Sequence, residues 1–272
     1  MTASAPNGTC EVASTKLYLF QYWDSPVPPR EVAAWMDHFG ANNPEFIHAV
    51  FDEMRACEFI EQHHGPRERA AFNACAVPAM QADYFRLCAL ASCGGLYVDA
   101  DTQSLNPIAG LVAQSPGAFL YTFLGLFANG ILFFPERNDP FIRACLRLAT
   151  NNIEQRRFNA VFSATGPGVF NAVRLLLDPA STDALLSAWG GERHRWHEIL
   201  GITEAQLRSW RLRELLEIAR ESVEVTPDLE ESFRRITLLD SFTQMAPWFD
   251  APRPAYKDTP RHWLHWPGSI YR

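Results

Sequence analysis

The sequence predicts an α/β fold in which a Rossmann-like, mixed central sheet is flanked by helices. Three observations carry that prediction. Short apolar runs rich in β-branched and aromatic residues alternate with longer segments whose apolar residues recur every three or four positions. A Gly94-Gly95 pair divides one such helical segment from a short apolar run, as a helix stop followed by a strand does. Two aspartates, Asp99 and Asp101, stand at the end of that run, where open α/β sheets place their ligands.

The elements follow in order. Residues 1–14 are small and polar and read as a flexible tail, leaving 15–272 as one domain. Residues 16–23 (KLYLFQYW) form the first strand. Pro26, Pro28 and Pro29 make a turn, and a helix runs from Pro29 to Phe39. A second strand over 46–51 leads to a helix through Glu61, which His63-His64-Gly65-Pro66 ends; the two histidines read as surface residues. Pro78 opens the next helix, with Met80, Tyr84, Leu87 and Ala91 as its buried stripe. Leu96, Tyr97 and Val98 form the strand that carries the aspartates. Residues 117–134 hold no charge, but Gly125 and the turn-forming Asn129-Gly130 divide them into two buried strands rather than a membrane span. Helices are expected over 139–155 and from Thr165-Gly166-Pro167-Gly168 to Leu177, a helix-rich polar region over 181–219, and short strands over 222–226 and 235–239. His194 and His197 lie among charged neighbours and read as a solvated face.

Composition excludes several functions. At 272 residues the chain is long enough for a substantial core. A net charge of −7 without a basic run argues against nucleic acid or an anionic membrane as the main partner. No basic start followed by an apolar run opens the chain, and none of the six cysteines forms a C-x-x-C pair. Reduced thiols in a cytoplasmic protein without a transmembrane segment are the expectation.

Chemistry concentrates between Asp83 and Asp101. Between residues 70 and 98 the only charged side chains are Asp83 and Arg86. Charges that sparse in an apolar segment are expected to be paired or functional, because burying a lone one is costly. Three residues apart, they share a helix face. Asp99 and Asp101 point to one side of an extended chain and make half a site for a hard divalent cation, which keeps positions open for phosphate oxygens.

The order Asp83, Arg86, Gly94-Gly95, Tyr97, Asp99, Asp101 resembles the core of the DXD-motif sugar transferases. It is most similar to the family of the yeast initiating α-1,6-mannosyltransferase, glycosyltransferase family 32-like, and to clostridial toxin glucosyltransferase domains. Six spaced positions agree, which is far more specific than a lone DXD triplet. The resemblance implies a GT-A fold and a retaining, metal-dependent hexosyltransferase using a UDP- or GDP-sugar donor, with a glycan, lipid-linked or protein acceptor. It implies that Asp99 and Asp101 are catalytic and that Asp101 holds Mn²⁺ or Mg²⁺. It places Gln21, Tyr22 and Trp23 beside the base, and Asp83, Arg86, Tyr97, Asp99 and Asn129 on the donor. The acceptor side falls in the helical region around 139–221.

The terminal His262-Trp-Leu-His265-Trp-Pro-Gly-Ser269-Ile270 resembles the family's closing His-x-x-x-Gly-Ser-Trp. That implies His265 and Ser269 as further metal ligands, Ser269 also touching the donor, with Ile270 standing where the family has tryptophan. Two rival readings stay open. One is a non-catalytic nucleotide-sugar binder, which Ile270 favours. The other is a haloacid-dehalogenase-type phosphatase built on Asp99-Ala-Asp101-Thr102, for which the chain offers only Lys16 and Lys257 as the required lysine and no late acid pair after Asp101.

Overall fold

The computed structural model describes residues 16–115, 117–123, 125–182, 203–241, 243–250, 254–259 and 262–272. The expected tail at 1–14 and the pair His194 and His197 lie outside them. Strands are β1 (Tyr18–Tyr22), β2 (Ile47–Phe51), β3 (Gly95–Val98), β4 (Gln103–Ser104), β5 (Phe119–Phe123), β6 (Leu126–Phe134), β7 (Thr237–Asp240) and β8 (Phe249–Asp250). The first helices are α1 (Arg30–Asn42), α2 (Glu53–His64), α3 (Pro66–Ala74), α4 (Pro78–Cys93), α5 (Ala109–Gln114), α6 (Pro140–Glu154), α7 (Val161–Ala164) and α8 (Pro167–Leu177). Later helices cover Glu204–Ser209, Leu212–Ser222 and Pro227–Arg234.

Six strands form the central sheet in the order β2-β1-β3-β6-β5-β7. β2, β1 and β3 are parallel, β6 is antiparallel to β3 and to β5, and β5 is parallel to β7. The sheet is therefore mixed, and β3, bearing the aspartates, is an inner strand, as the sequence predicts. A second ribbon pairs β4 with β8.

The sheet packs on both faces. Tyr18, Phe20 and Tyr22 of β1 join the larger core with α2, α4 and α6, while Leu19 joins a second cluster with Leu96, Val98, Phe119 and Phe133. Helix α4 is buried on nearly every side, from Met80 to Cys93. An all-round apolar helix is a central one, and α4 is the element on which the site is built. Its exit turns on glycine: Gly94 and Gly95 have φ of +64° and +118°, and a Cβ on Gly95 would stand 2.4 Å from the Tyr18 carbonyl oxygen. Only glycine lets β3 leave α4 so close to β1.

Five expectations need correction. Asn129-Gly130 does not turn the chain; it lies inside β6, and the reversal comes at Gly125, where φ is +81°. Strand pairing outweighed a local turn signal there. Residues 223–226 are not a strand but the link between two helices. Residues 66–74, given no element from sequence, form α3, with Pro66 at its start. The expectation of reduced thiols holds for Cys57, Cys75, Cys88 and Cys145, but Cys93 is disulfide-bonded. No helix among the described residues is long and apolar enough to cross a membrane. His64 is half-buried rather than a surface residue, its Nε2 2.9 Å from the Cys88 carbonyl oxygen.

Candidate active site

A cleft of about 660 Å³ opens at the carboxyl end of β3. Asp83, Arg86, Asp99, Asp101 and Asn129 line it together. These residues come from helix α4, the exit of β3 and strand β6, which the fold brings to one point.

Arg86 is the hub. It is 3% exposed, and its Nη2 lies 3.0 Å from Asp83 Oδ1 and 2.9 Å from Asp99 Oδ1. Its Nη1 donates to the Asn129 carbonyl oxygen and its Nε to the Ala82 carbonyl oxygen. The guanidinium also sits over the Tyr97 ring, 4.5 Å from its centroid. All three nitrogens are thereby engaged, so Arg86 orients two carboxylates and the β6 backbone. The sequence-based expectation gave it a direct sugar contact.

The carboxylates differ in their surroundings. Asp83 accepts from Asn129 Nδ2 at 2.9 Å and from Thr165 Oγ1 at 3.3 Å. Burial nevertheless pushes its pKa up, with Arg86 and these hydrogen bonds opposing. Asp99 Oδ1 also accepts from the Tyr97 hydroxyl at 3.1 Å, and the Asp99 N–H donates to the Gly130 carbonyl oxygen at 2.7 Å. Burial pushes Asp99 up to about 6; Arg86 pulls it down, while Asp101 and Asp83 add to the rise. Gly130 is required beside it, since a Cβ there would meet Asp99 Oδ2 at 2.7 Å and the Tyr121 hydroxyl at 3.1 Å.

Asp101 has partners that sequence reading did not supply. Its Oδ2 accepts from the Tyr256 hydroxyl at 2.6 Å and lies 2.8 Å from Lys257 Nζ. Tyr256 stands edge-on to Trp23, centroids 5.1 Å apart. The available signal was scarcity: Lys257 is one of two lysines in the chain. Oxygen ligands suit a hard cation, and the ammonium of Lys257 shows that Asp101 holds positive charge. One open carboxylate with phosphate oxygens and water is a sufficient set for Mg²⁺-like ions, so the residues fit such an ion although no group of three ligating side chains occurs among the described residues.

The other expected residues divide. Tyr22 and Trp23 line the cleft, Tyr22 donating to Gln81 Oε1 at 3.0 Å. Gln21 is fully buried on the other side of β1, its Oε1 2.8 Å from His48 Nε2, and is not among the lining residues. Neighbours on a strand face opposite ways, so Gln21 and Tyr22 cannot both reach the donor. Tyr97 is buried beneath the site rather than lining it. His265 and Ser269 are exposed, and the structure does not bring them to Asp101; His262 and Trp263 line the cleft instead. Ser269 Oγ accepts from the Tyr271 N–H at 3.1 Å. Ile270 is a core residue, 7% exposed, and its carbonyl oxygen accepts from the Ala76 N–H at 2.9 Å. The departure at Ile270 therefore packs the terminus and does not face the site.

Much of the rest of the wall is aromatic. Phe123, Phe127, Phe162, Trp210 and Trp263 line it, and the Phe162 and Trp210 rings stack 3.7 Å apart. Pro167 at the start of α8 completes this side.

No curated protein matches the chain. A solved structure, the PaToxG glycosyltransferase, is similar with a TM-score of 0.49 and 17% identity over 78% of this chain and 89% of that one. Residues 16–118 match the family described as a glycosyltransferase sugar-binding region containing a DXD motif. That stretch, somewhat more than a third of the chain, contains β1, α4 and the β3 exit with Asp83, Arg86, Asp99 and Asp101, so the part of the chain similar to the DXD-motif glycosyltransferases is the part that builds the cleft.

Proposed function

We propose that the chain is a retaining, metal-dependent glycosyltransferase of GT-A type that moves a hexosyl group from a UDP- or GDP-sugar to an acceptor hydroxyl. The observation that carries this reading is the convergence of Asp101 and the Asp83–Arg86–Asp99 network on one cleft. Asp101 is the proposed metal ligand; His265 and Ser269, exposed and away from Asp101 in this structure, join it when the terminal segment closes over bound donor. When bound, Mn²⁺ or Mg²⁺ supplies Lewis-acid neutralisation of the diphosphate as the glycosidic bond breaks.

The protein's own residues do the positioning. Asp83 and Asn129 present a carboxylate and an amide toward donor-sugar hydroxyls, and Arg86 fixes Asp83 and Asp99 in place. Asp99 faces ribose or sugar hydroxyls, and Trp23 with Tyr22 borders the base. The bond from the anomeric carbon to the diphosphate oxygen breaks. A bond to the acceptor oxygen forms on the same face, and the hydroxyl proton passes to the departing diphosphate. The aromatic wall of Phe123, Phe162 and Trp210 excludes water and receives the acceptor.

The test is hydrolysis of a panel of UDP- and GDP-sugars with and without Mn²⁺. We expect metal-dependent release of nucleotide, abolished in Asp101→Ala, and a released sugar of retained anomeric configuration by NMR. Absence of metal-dependent turnover with every donor, despite measurable donor binding, would leave a nucleotide-sugar binder. Cytoplasmic residence is part of the proposal; four free thiols support it, whereas the Cys93 disulfide favours an oxidising compartment. Alkylating the protein as it leaves cells decides between them.

A further inference from the structure

We infer that the turn Ala255–Asp258 is a latch that occupies the donor site from within and must be displaced by the divalent cation. The inference rests on the metal-dependent reading of Asp101 given above. Lys257 supplies one positive charge to Asp101 Oδ2 at 2.8 Å, and the Tyr256 hydroxyl donates to the same oxygen at 2.6 Å. The Asp101 side chain is 15% exposed and that of Lys257 23%, so little of either charge is left to water. The aromatic ring of Tyr256 stands against Trp23 with an interplanar angle of 88°. Tyr256 and Trp23 both pack on the small cluster of Val32, Met36 and Ala100, beside the DXD pair.

The latch is held at its rim as well. The Ala255 N–H donates to Glu31 Oε1 of α1 at 3.3 Å, and the Thr259 hydroxyl donates to the Tyr256 carbonyl oxygen at 2.6 Å. These contacts lie at or near the surface, where local opening costs less than global unfolding. Meanwhile Trp23 Nε1 is buried without a hydrogen-bond partner. A buried donor without an acceptor is a group that a ligand or water is expected to satisfy.

A divalent cation on Asp101 and the ammonium of Lys257 are like charges competing for one carboxylate. Both cannot be held at contact distance, so whichever binds disfavours the other. The coupling is reciprocal: the latch weakens the cation, and the cation weakens the latch. Lys257 thus neutralises Asp101 until donor and cation arrive together.

The experiment titrates Mn²⁺ alone into the full chain without donor and reads free Mn²⁺ by electron paramagnetic resonance. Wild type is compared with Lys257→Met, Lys257→Gln, Lys257→Arg and Asp101→Ala, each checked for folding by circular dichroism. Removing the ammonium is expected to tighten Mn²⁺ binding about tenfold, within the usual range of site-to-site coupling. Lys257→Arg keeps the charge and stays close to wild type, and Asp101→Ala loses the site. Unchanged or weaker binding in both Lys257→Met and Lys257→Gln, with wild type still binding through Asp101, overturns the latch alone. No Asp101-dependent binding in any variant overturns the latch and the metal-dependent reading together.

Discussion

Arg86 Nη2 stands 2.9 Å from Asp99 Oδ1, and this contact ties the buried helix α4 to the exit of strand β3. The same nitrogen reaches Asp83, so a single guanidinium sets two carboxylates of the cleft. Replacing it leaves Asp83 buried, and Asp99 half-buried, without their counter-charge. Arg86→Met is expected to destabilise the protein by about 3–5 kcal/mol, the usual cost of breaking a buried pair from one side. Urea unfolding measures it. Asp83→Asn combined with Arg86→Met recovers part of the loss, because the stranded charge is then removed. Lysine does not rescue, since a point charge cannot serve the carboxylates and the Asn129 carbonyl at once.

Gly130 separates activity from stability. A methyl there would overlap Asp99 Oδ2 and crowd the Tyr121 hydroxyl, both ends of side chains that can move. Gly130→Ala should therefore fold, with a stability change of about 1 kcal/mol or less. Turnover should fall by about a hundredfold or more, because displacement of a positioning group by 1 Å is costly. Wild-type turnover in a folded Gly130→Ala variant would remove Asp99 from the donor site.

Much of this was legible before the fold, and the rest was hidden for physical reasons. Asp83 and Arg86 were readable because an apolar helix tolerates so few charges. Asp99 and Asp101 were readable because a glycine pair and a strand frame them. Gln21 misled because β1 is buried on both faces; with no polar-apolar alternation, the sequence does not say which side meets the cleft. Asn129-Gly130 misled because its local preference for a turn competes with two demands of tertiary structure. The Asn129 side chain bonds Asp83, and the missing Cβ of Gly130 leaves room for Asp99. Tyr256 and Lys257 were invisible as site residues, since they lie 155 positions or more from Asp101 in a segment without periodic pattern.

A pH dependence follows from two histidines away from the cleft. Burial lowers the pKa of His48, which faces Gln21, and of His64, whose Nε2 lies 2.7 Å from Ser92 Oγ. Each therefore stays neutral in the folded chain at pH values where the unfolded chain binds a proton. The unfolded state holds more protons in that window, so stability rises with pH. Their contribution is complete above the ordinary histidine value of about 6.5 and is lost as pH falls through the lower folded values. Melting temperature is expected to drop from pH 7 toward pH 5, and His64→Gln should flatten part of that slope. An equal slope in wild type and in His64→Gln would show that His64 does not contribute.

The terminal segment gives the last prediction. Residues 270–272 are fixed at the C-terminal end of α3: Ile270 is in the core, Tyr271 forms a β-bridge with Cys75, and the Arg272 N–H donates to the Ala74 carbonyl oxygen at 2.8 Å. His265 and Ser269 precede this anchor and are exposed, while Lys257 holds Asp101. If the cation displaces Lys257, the ion keeps coordination positions beyond Asp101 that a further side chain would share with donor phosphates and water, fixing its geometry. His265→Ala is then expected to leave Mn²⁺ affinity unchanged without donor, when the segment stands as described. With a non-hydrolysable donor analogue present, it should weaken Mn²⁺ affinity about tenfold, a loss of the order seen when a supporting metal contact is removed. The contrast matters more than either value. A merely packed terminal histidine would change neither, and a ligand already in place would weaken both. Equal Mn²⁺ affinity of wild type and His265→Ala with the analogue bound would show that Asp101, the donor phosphates and water complete the site without the C-terminal histidine.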